Sequence, residues 1–161
     1  MGAFADTVQR RLRDGVSARC AGLDWETEYD IAGTPVDVAG VGVDELVLVE
    51  LEWRRADPAD NTAKLFRHLD SGEIAVPNVT VVQLFTAYYD LARGGISSKR
   101  KNATFVGRAA ADAFESVRYR PLDLAIDPPK RGGPRPDGWR ETVDSVVERL
   151  VEIVESGEGA D

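Results

Sequence analysis

Pro35-Val36-Asp37 and, after a turn at Gly40 to Asp44, the run Leu46-Val47-Leu48-Val49-Glu50-Leu51-Glu52 decide how this chain is read. The second stretch is apolar until it delivers two acids at alternate positions. In a β-strand alternate side chains share a face, so Glu50 and Glu52 point the same way, and Asp37 on a preceding antiparallel strand can sit across from them. Aspartate has low strand propensity, which marks Asp37 further. The same acids would be unremarkable on the solvent face of a half-exposed strand. In a central strand they repel unless a cation or a cationic side chain neutralises them. Hard cations such as Mg²⁺ take oxygen ligands, usually one or two carboxylates completed by water and phosphate oxygens. Asp37, Glu50 and Glu52 are therefore the expected ligands of a Mg²⁺ or Mn²⁺ ion.

Outward from that stretch the pattern alternates between the helical and the strand period. Phe4, Val8, Leu12 and Val16 have the spacing of an amphipathic helix that fades near Gly22. Trp25 to Ile31 alternates apolar and polar, Gly33 turns, and Thr34 to Ala39 forms a second strand before Glu45 to Arg54. This predicts a three-strand antiparallel meander. Asp57-Pro58 ends it, and Asp60 or Asn61 is placed to cap a helix carrying Leu65, Phe66 and Leu69 on its buried side. Val79 to Phe85 reads as a continuous apolar run, the signature of a strand buried on both faces, and as a parallel neighbour of the third strand. A helix near Ala103 to Val117, a strand over Tyr119 to Ile126 and a Pro/Gly-rich linker from Asp127 to Pro134 follow. Trp139, Val143, Val146, Val147, Leu150, Val151 and Val154 make a last apolar helical stripe. The expectation is one domain over residues 1–155 and an acidic flexible tail over 156–161.

Composition narrows the chemistry. The 161 residues hold one cysteine, Cys20, and one histidine, His68, so an internal disulfide, a cysteine metal site and a multi-histidine zinc site are excluded. Nowhere do eighteen apolar residues run together, and the first fifteen residues lack the apolar core of a signal peptide, so a soluble cytoplasmic protein with no membrane partner is expected. The net charge of −8 accompanies only four lysines, Lys64, Lys99, Lys101 and Lys130, an acid-rich, lysine-poor balance that resembles proteins of salt-loving archaea. The charge is unevenly spread. Residues 1–90 carry 8 basic and 16 acidic side chains, whereas residues 91–140 carry 11 and 5. A local basic field of this kind is what binding to nucleic-acid phosphates requires. Arg93, Lys99, Arg100, Lys101 and Arg108 are its expected contact residues.

The order helix, three-strand meander, helix, strand, helix, strand, with an acid on the second strand and Glu-x-Glu on the third, resembles the PD-(D/E)XK nuclease superfamily over roughly residues 4 to 126. The resemblance implies an α/β, restriction-endonuclease-like fold: a mixed central sheet, antiparallel meander plus parallel strands, flanked by helices. It also implies Mg²⁺-dependent hydrolysis of DNA phosphodiester bonds, with Asp37 and Glu50 on the metal, the Leu51 carbonyl as a further ligand, Glu52 in the third catalytic position, and pairing into a homodimer. The chain departs from the family at Glu52, where a lysine is usual. Lys64, on the following helix, is the expected substitute; Asn61 and His68 recur with it at spacings of three and four and so share a face. Glu28, or else Glu26 or Asp6, would be the accessory acid. The rival reading is a catalytically inactive nuclease fold serving as a DNA-binding or protein-interaction module. Cys20 and Trp53 read as structural, and Tyr88 and Tyr89 as strand-end packing.

Overall fold

The computed structural model describes residues 2–157. It contains the mixed α/β sheet expected from the sequence. Helix α1 (Ala3–Arg19) leads into strands β1 (Asp24–Ile31), β2 (Thr34–Val41) and β3 (Glu45–Glu52), then α2 (Pro58–Asp70), β4 (Asn78–Thr86), α3 (Ser98–Ala113), β5 (Val117–Leu124) and α4 (Trp139–Gly157). A single 3₁₀ turn, Ala87–Tyr89, follows β4. The five strands lie in sequence order; β1, β2 and β3 are antiparallel, while β3, β4 and β5 are parallel.

Two parallel connections in the same direction place α2 and α3 on one face of the sheet, and α1 packs with α4 on the other. Side-chain alternation sorts the core accordingly. Val47, Val49 and Leu51 pack with Val8, Leu12, Val143 and Val147 on the α1 and α4 side. Leu46 and Leu48 pack with Leu65, Phe66, Val79 and Val81 beneath α2. By the same alternation Glu50 and Glu52 continue the α2 side, as the sequence requires. Strand β1 is a free edge, and the exposed acids Asp24, Glu26, Glu28 and Asp30 along it discourage pairing with another chain. No helix among the described residues is long and apolar enough to cross a membrane.

Boundaries differ from the sequence expectation by a residue or two at the strand ends, at Ala113, where α3 ends and leaves Val117 to open β5, and in three further places, each for a local reason. Helix α2 begins earlier, because Asp57 is its cap, accepting the Asp60 N–H at 3.3 Å, and Pro58 fills the first turn, where its missing N–H costs nothing. Helix α3 also begins earlier, at Ser98 after the Ser97 cap, so the basic run Lys99-Arg100-Lys101 is not a loop but a first helical turn whose side chains diverge. Helix α4 continues through Ser156 and Gly157, so the expected tail does not begin at 156; its residues 158–161 lie outside the described residues.

Gly107 of α3 lies against the Tyr119 ring, where an added Cβ would come within 2.3 Å of ring carbon. Gly107→Ala is expected to destabilise the protein by about 1–3 kcal/mol, the cost of overpacking a filled interior, read as a lowered urea midpoint.

Candidate metal and catalytic site

The β2–β3 ladder runs from Val41↔Leu46 to Val38↔Val49 and stops. A regular ladder would next oppose Asp37 to Glu50 and then pair Leu51 with the β2 backbone. Instead the Asp37 carboxylate takes the Leu51 N–H, Oδ2 to N 2.6 Å. The β1–β2 ladder is disturbed at the same level: Thr27↔Val38 and Tyr29↔Val36 are paired but Glu28 and Asp37 are not, and Glu28 has a φ of 54°. A left-handed glutamate inside a strand is strained, and here a buried side chain secures it. Gln9 Nε2, from α1, donates to the Asp37 carbonyl at 2.5 Å and to Glu28 Oε1 at 2.7 Å. The distortion turns Asp37 inward beside Glu50, with 5% and 4% of their surfaces exposed.

This pair is electrostatically unusual. Burial, only partly opposed by the Leu51 N–H and by Arg55, holds Asp37 above the ordinary carboxylate range. Burial, then the neighbouring charges of Asp37 and Glu52, pushes Glu50 well above it. The two carboxyl groups lie in hydrogen-bonding contact, which holds Asp37 down and pushes Glu50 further up. Burial disfavours charge on both members of the pair, and a bound cation would offset that.

Glu52 is fully enclosed. Gln83 Nε2 donates to its Oε1 at 2.7 Å, Asn61 Nδ2 approaches its two oxygens at 3.3 and 3.5 Å, and Arg55 Nε lies 3.8 Å away. Burial raises its pKa, with Gln83, Asn61 and Arg55 acting against the shift. Gln83 is itself saturated. Its other N–H reaches the Pro58 carbonyl at 3.2 Å, and its oxygen accepts from Thr62 at 3.1 Å and Tyr119 at 2.6 Å. Gln83→Ala would remove one partner each from Glu52, Thr62 and Tyr119, and is expected to cost about 2–4 kcal/mol in a denaturation experiment, because Glu52 loses its shortest hydrogen bond where water cannot replace it.

Among the described residues no group of three or more His, Cys, Asp or Glu side chains is arranged to hold a metal ion. Of the three acids expected as ligands, Glu52 is engaged by Gln83 and Asn61, while Asp37 and Glu50 lie side by side. Two carboxylates fit Mg²⁺, which keeps most of its water, and the burial of Asp37 beside Glu50 is the observation that makes the fit.

The α2 residues separate. Asn61 joins the site through Glu52 and accepts from Arg55 Nη1 at 2.7 Å. Lys64 does not; it pairs with Asp60 at 2.7 Å on the outer surface of α2. His68 does not either. It lies seven residues along the helix, about 10 Å of rise, where it bonds Thr34 Oγ1 at 2.9 Å and Glu73, tying the end of α2 to the β1–β2 hairpin. The cation beside the carboxylates is Arg55, whose backbone N–H and carbonyl are both held by the Tyr89 hydroxyl, at 2.9 and 3.2 Å.

Of the basic residues, Arg93, Lys99, Lys101 and Arg108 are exposed. Arg100 is not available as a contact: it is buried, bonded to Asp123 at 2.5 Å and stacked 4.8 Å over Phe85. Arg54 and Lys99 flank the Tyr88 ring at 5.3 and 5.6 Å. Gln9, Arg55 and Gln83 were missing from the sequence expectation. Gln9 did carry a signal, being a polar residue within an otherwise apolar buried pattern, and Gln83 a weaker one, sharing its buried strand with Thr80 and Thr86.

The chain is thus an α/β protein whose mixed sheet presents paired carboxylates at the junction of β2 and β3. No family model matches it, and no curated protein does. Solved structures do. A repair endonuclease from Pyrococcus abyssi is 22% identical, the match covering 80% of this chain and 49% of that one, with a TM-score of 0.41. A structure of an EndoMS-dsDNA2 complex is 19% identical, covering 81% and 47%, with a TM-score of 0.40. This chain spans about half the length of those chains.

Proposed function

We propose that the protein is a Mg²⁺- or Mn²⁺-dependent nuclease that hydrolyses DNA phosphodiester bonds. The observation that carries this reading is the broken β2–β3 ladder, which sets Asp37 against the Leu51 N–H and buries it beside Glu50. A structural sheet has no use for that arrangement, since burying two acids together costs stability. Asp37 and Glu50 would hold the ion. The Leu51 carbonyl, which lies on the same strand edge as its N–H and hence toward β2, would supply a further oxygen. When bound, the ion supplies Lewis acidity toward a phosphoryl oxygen and acidity to a water. Arg55 is placed to balance phosphate charge next to the carboxylates. Glu52, locked by Gln83, holds Asn61 and Arg55 in position rather than meeting substrate directly. The exposed Arg93, Lys99, Lys101 and Arg108 would contact backbone phosphates, which fixes position without reading sequence. The names of the two similar structures, a repair endonuclease and a DNA complex, are in keeping with such a substrate. A homodimer would bring two such sites to two strands.

One observation favours the inactive DNA-binding alternative: the third catalytic position is an enclosed glutamate, and Lys64 turns outward to Asp60. The two readings separate in one experiment. Circular and linear DNA are incubated with the protein at high salt, with Mg²⁺, Mn²⁺ or chelator. Nicking or linearisation that chelator abolishes supports the nuclease, whereas DNA binding that persists in chelator without any cleavage supports the binding module.

A further inference from the structure

Helices α1 and α4 and the loop before α4 enclose a cleft of about 560 Å³, walled by Thr7, Arg10, Arg11, Arg135, Trp139 and Arg140. Three guanidiniums surround the buried Trp139 indole, with Arg140 at 4.7 Å, Arg135 at 5.7 Å and Arg11 at 5.9 Å from the ring centroid. Arg135 also lies 5.2 Å over Phe4 and reaches Thr7 Oγ1 at 3.4 Å. Stacking on a fixed ring holds an arginine in place, so little freedom is lost when it binds an anion.

Two acids line the cleft, and both are engaged. Asp144 forms a fork with Arg11, at 2.8 and 2.7 Å, and Asp14 accepts from Arg13 at 2.6 Å. Among the described residues no carboxylate lies within ion-pair distance of Arg10, Arg135 or Arg140. Three unbalanced guanidiniums facing one concavity stand out in a chain of net charge −8. Planar guanidinium forks match phosphate oxygens better than any other side chain.

We propose that this cleft is a phosphate-binding site separate from the carboxylate pair. Its position suggests whose phosphate it takes. Trp53, next to Glu52, packs on Phe4 at 5.3 Å, and Phe4 packs on Trp139 at 5.2 Å, so two ring contacts connect the end of β3 with the cleft. A duplex carries one charge per roughly 1.7 Å of axis, so its backbone is dense in the oxyanions that these guanidiniums match. The choice of a nucleic-acid backbone rests on the nuclease reading; the cleft itself does not.

The test uses the full chain carrying Asp37→Asn, in chelator, with and without the added pair Arg10→Gln and Arg140→Gln. Both arginines are exposed, and an unchanged circular dichroism melt controls for folding. In one arm, anisotropy of a labelled duplex is followed across salt concentrations. Loss of two phosphate contacts is expected to make the slope of log K against log salt shallower by about 2, with affinity at the lowest salt falling at least tenfold. In the other arm, inorganic phosphate is titrated against tryptophan fluorescence, with a saturable change expected only when Arg10 and Arg140 are present. A response in the duplex arm assigns the cleft to backbone phosphate, and one in the phosphate arm alone assigns it to free phosphate. No difference in either arm overturns the proposal. If no variant binds duplex at all, the nuclease reading falls, and the phosphate arm still decides the cleft.

Discussion

Asp37→Asn is expected to lower metal-dependent DNA hydrolysis by at least about 10³-fold, the order of loss when charge stabilisation at a reacting centre is removed, while leaving the fold intact. The two consequences separate because Asp37 does two things. Its Oδ2 accepts the Leu51 N–H and so seals the point where β2 leaves β3; an asparagine oxygen does that equally well. Its charge, next to Glu50, is what would hold the cation, and asparagine removes it. Asp37→Ala is the informative contrast. It also leaves the Leu51 N–H buried without an acceptor, so about 1–3 kcal/mol of stability should be lost with the activity. Plasmid nicking in Mg²⁺ and a urea midpoint, measured on both variants, give the comparison. An asparagine variant that cuts as fast as the parent would move hydrolysis away from this pair altogether.

The fold was readable because its signals were local and repeated. The two acids on β3 and the alternation of Leu46, Leu48, Glu50 and Glu52 specify which face they occupy, and the apolar run from Val79 specifies a strand buried on both sides; the structure pairs it with β3 in parallel, Glu50 opposite Gln83. The site was readable only in part, because its assembly depends on contacts between elements. That Gln9 would cross from α1 to hold Glu28 and Asp37 could not follow from spacing, although a glutamine among Ala5, Val8, Leu12 and Val16 was a visible anomaly. Helical phase misled the assignment on α2. Asn61, Lys64 and His68 share a face, but Asn61 meets Glu52, Lys64 finds Asp60 one turn back, and His68 is too far along to reach the carboxylates. Arg100 failed as a phosphate contact for a similar reason. Three consecutive basic residues on a helix cannot all face outward, and the middle one turns in to Asp123.

Glu50→Gln is expected to stabilise the metal-free protein at pH 8 and to lose that advantage near pH 4. Burial, then the charges of Asp37 and Glu52, hold Glu50 well above the ordinary carboxylate range. A carboxyl group so shifted keeps a proton in the folded chain that the unfolded chain has already released. Stability therefore falls as pH rises from the ordinary glutamate value of about 4.3 toward the raised value of the folded state. Below that window the neutral Glu50 donates to Asp37 much as glutamine would, and parent and variant should melt together. Above it the parent must either hold its proton against solvent or bury a second negative charge, and the variant need do neither. For a chain of this size each kcal/mol gained appears as about 2–4 °C in Tm, so the pH dependence is readable by thermal melts in chelator. Mg²⁺ should act in the opposite sense. It should raise the Tm of the parent at pH 8 by binding the folded state alone, with a much smaller effect on the variant, because an ion held between Asp37 and Glu50 needs both carboxylates. A variant less stable than the parent at pH 8 in chelator would mean that Glu50 is ionised and paired with a cation from the protein itself. Arg55, which already lies within electrostatic reach of both Asp37 and Glu50, would be that cation, and the site would then be a closed ion-pair network with no need of a metal.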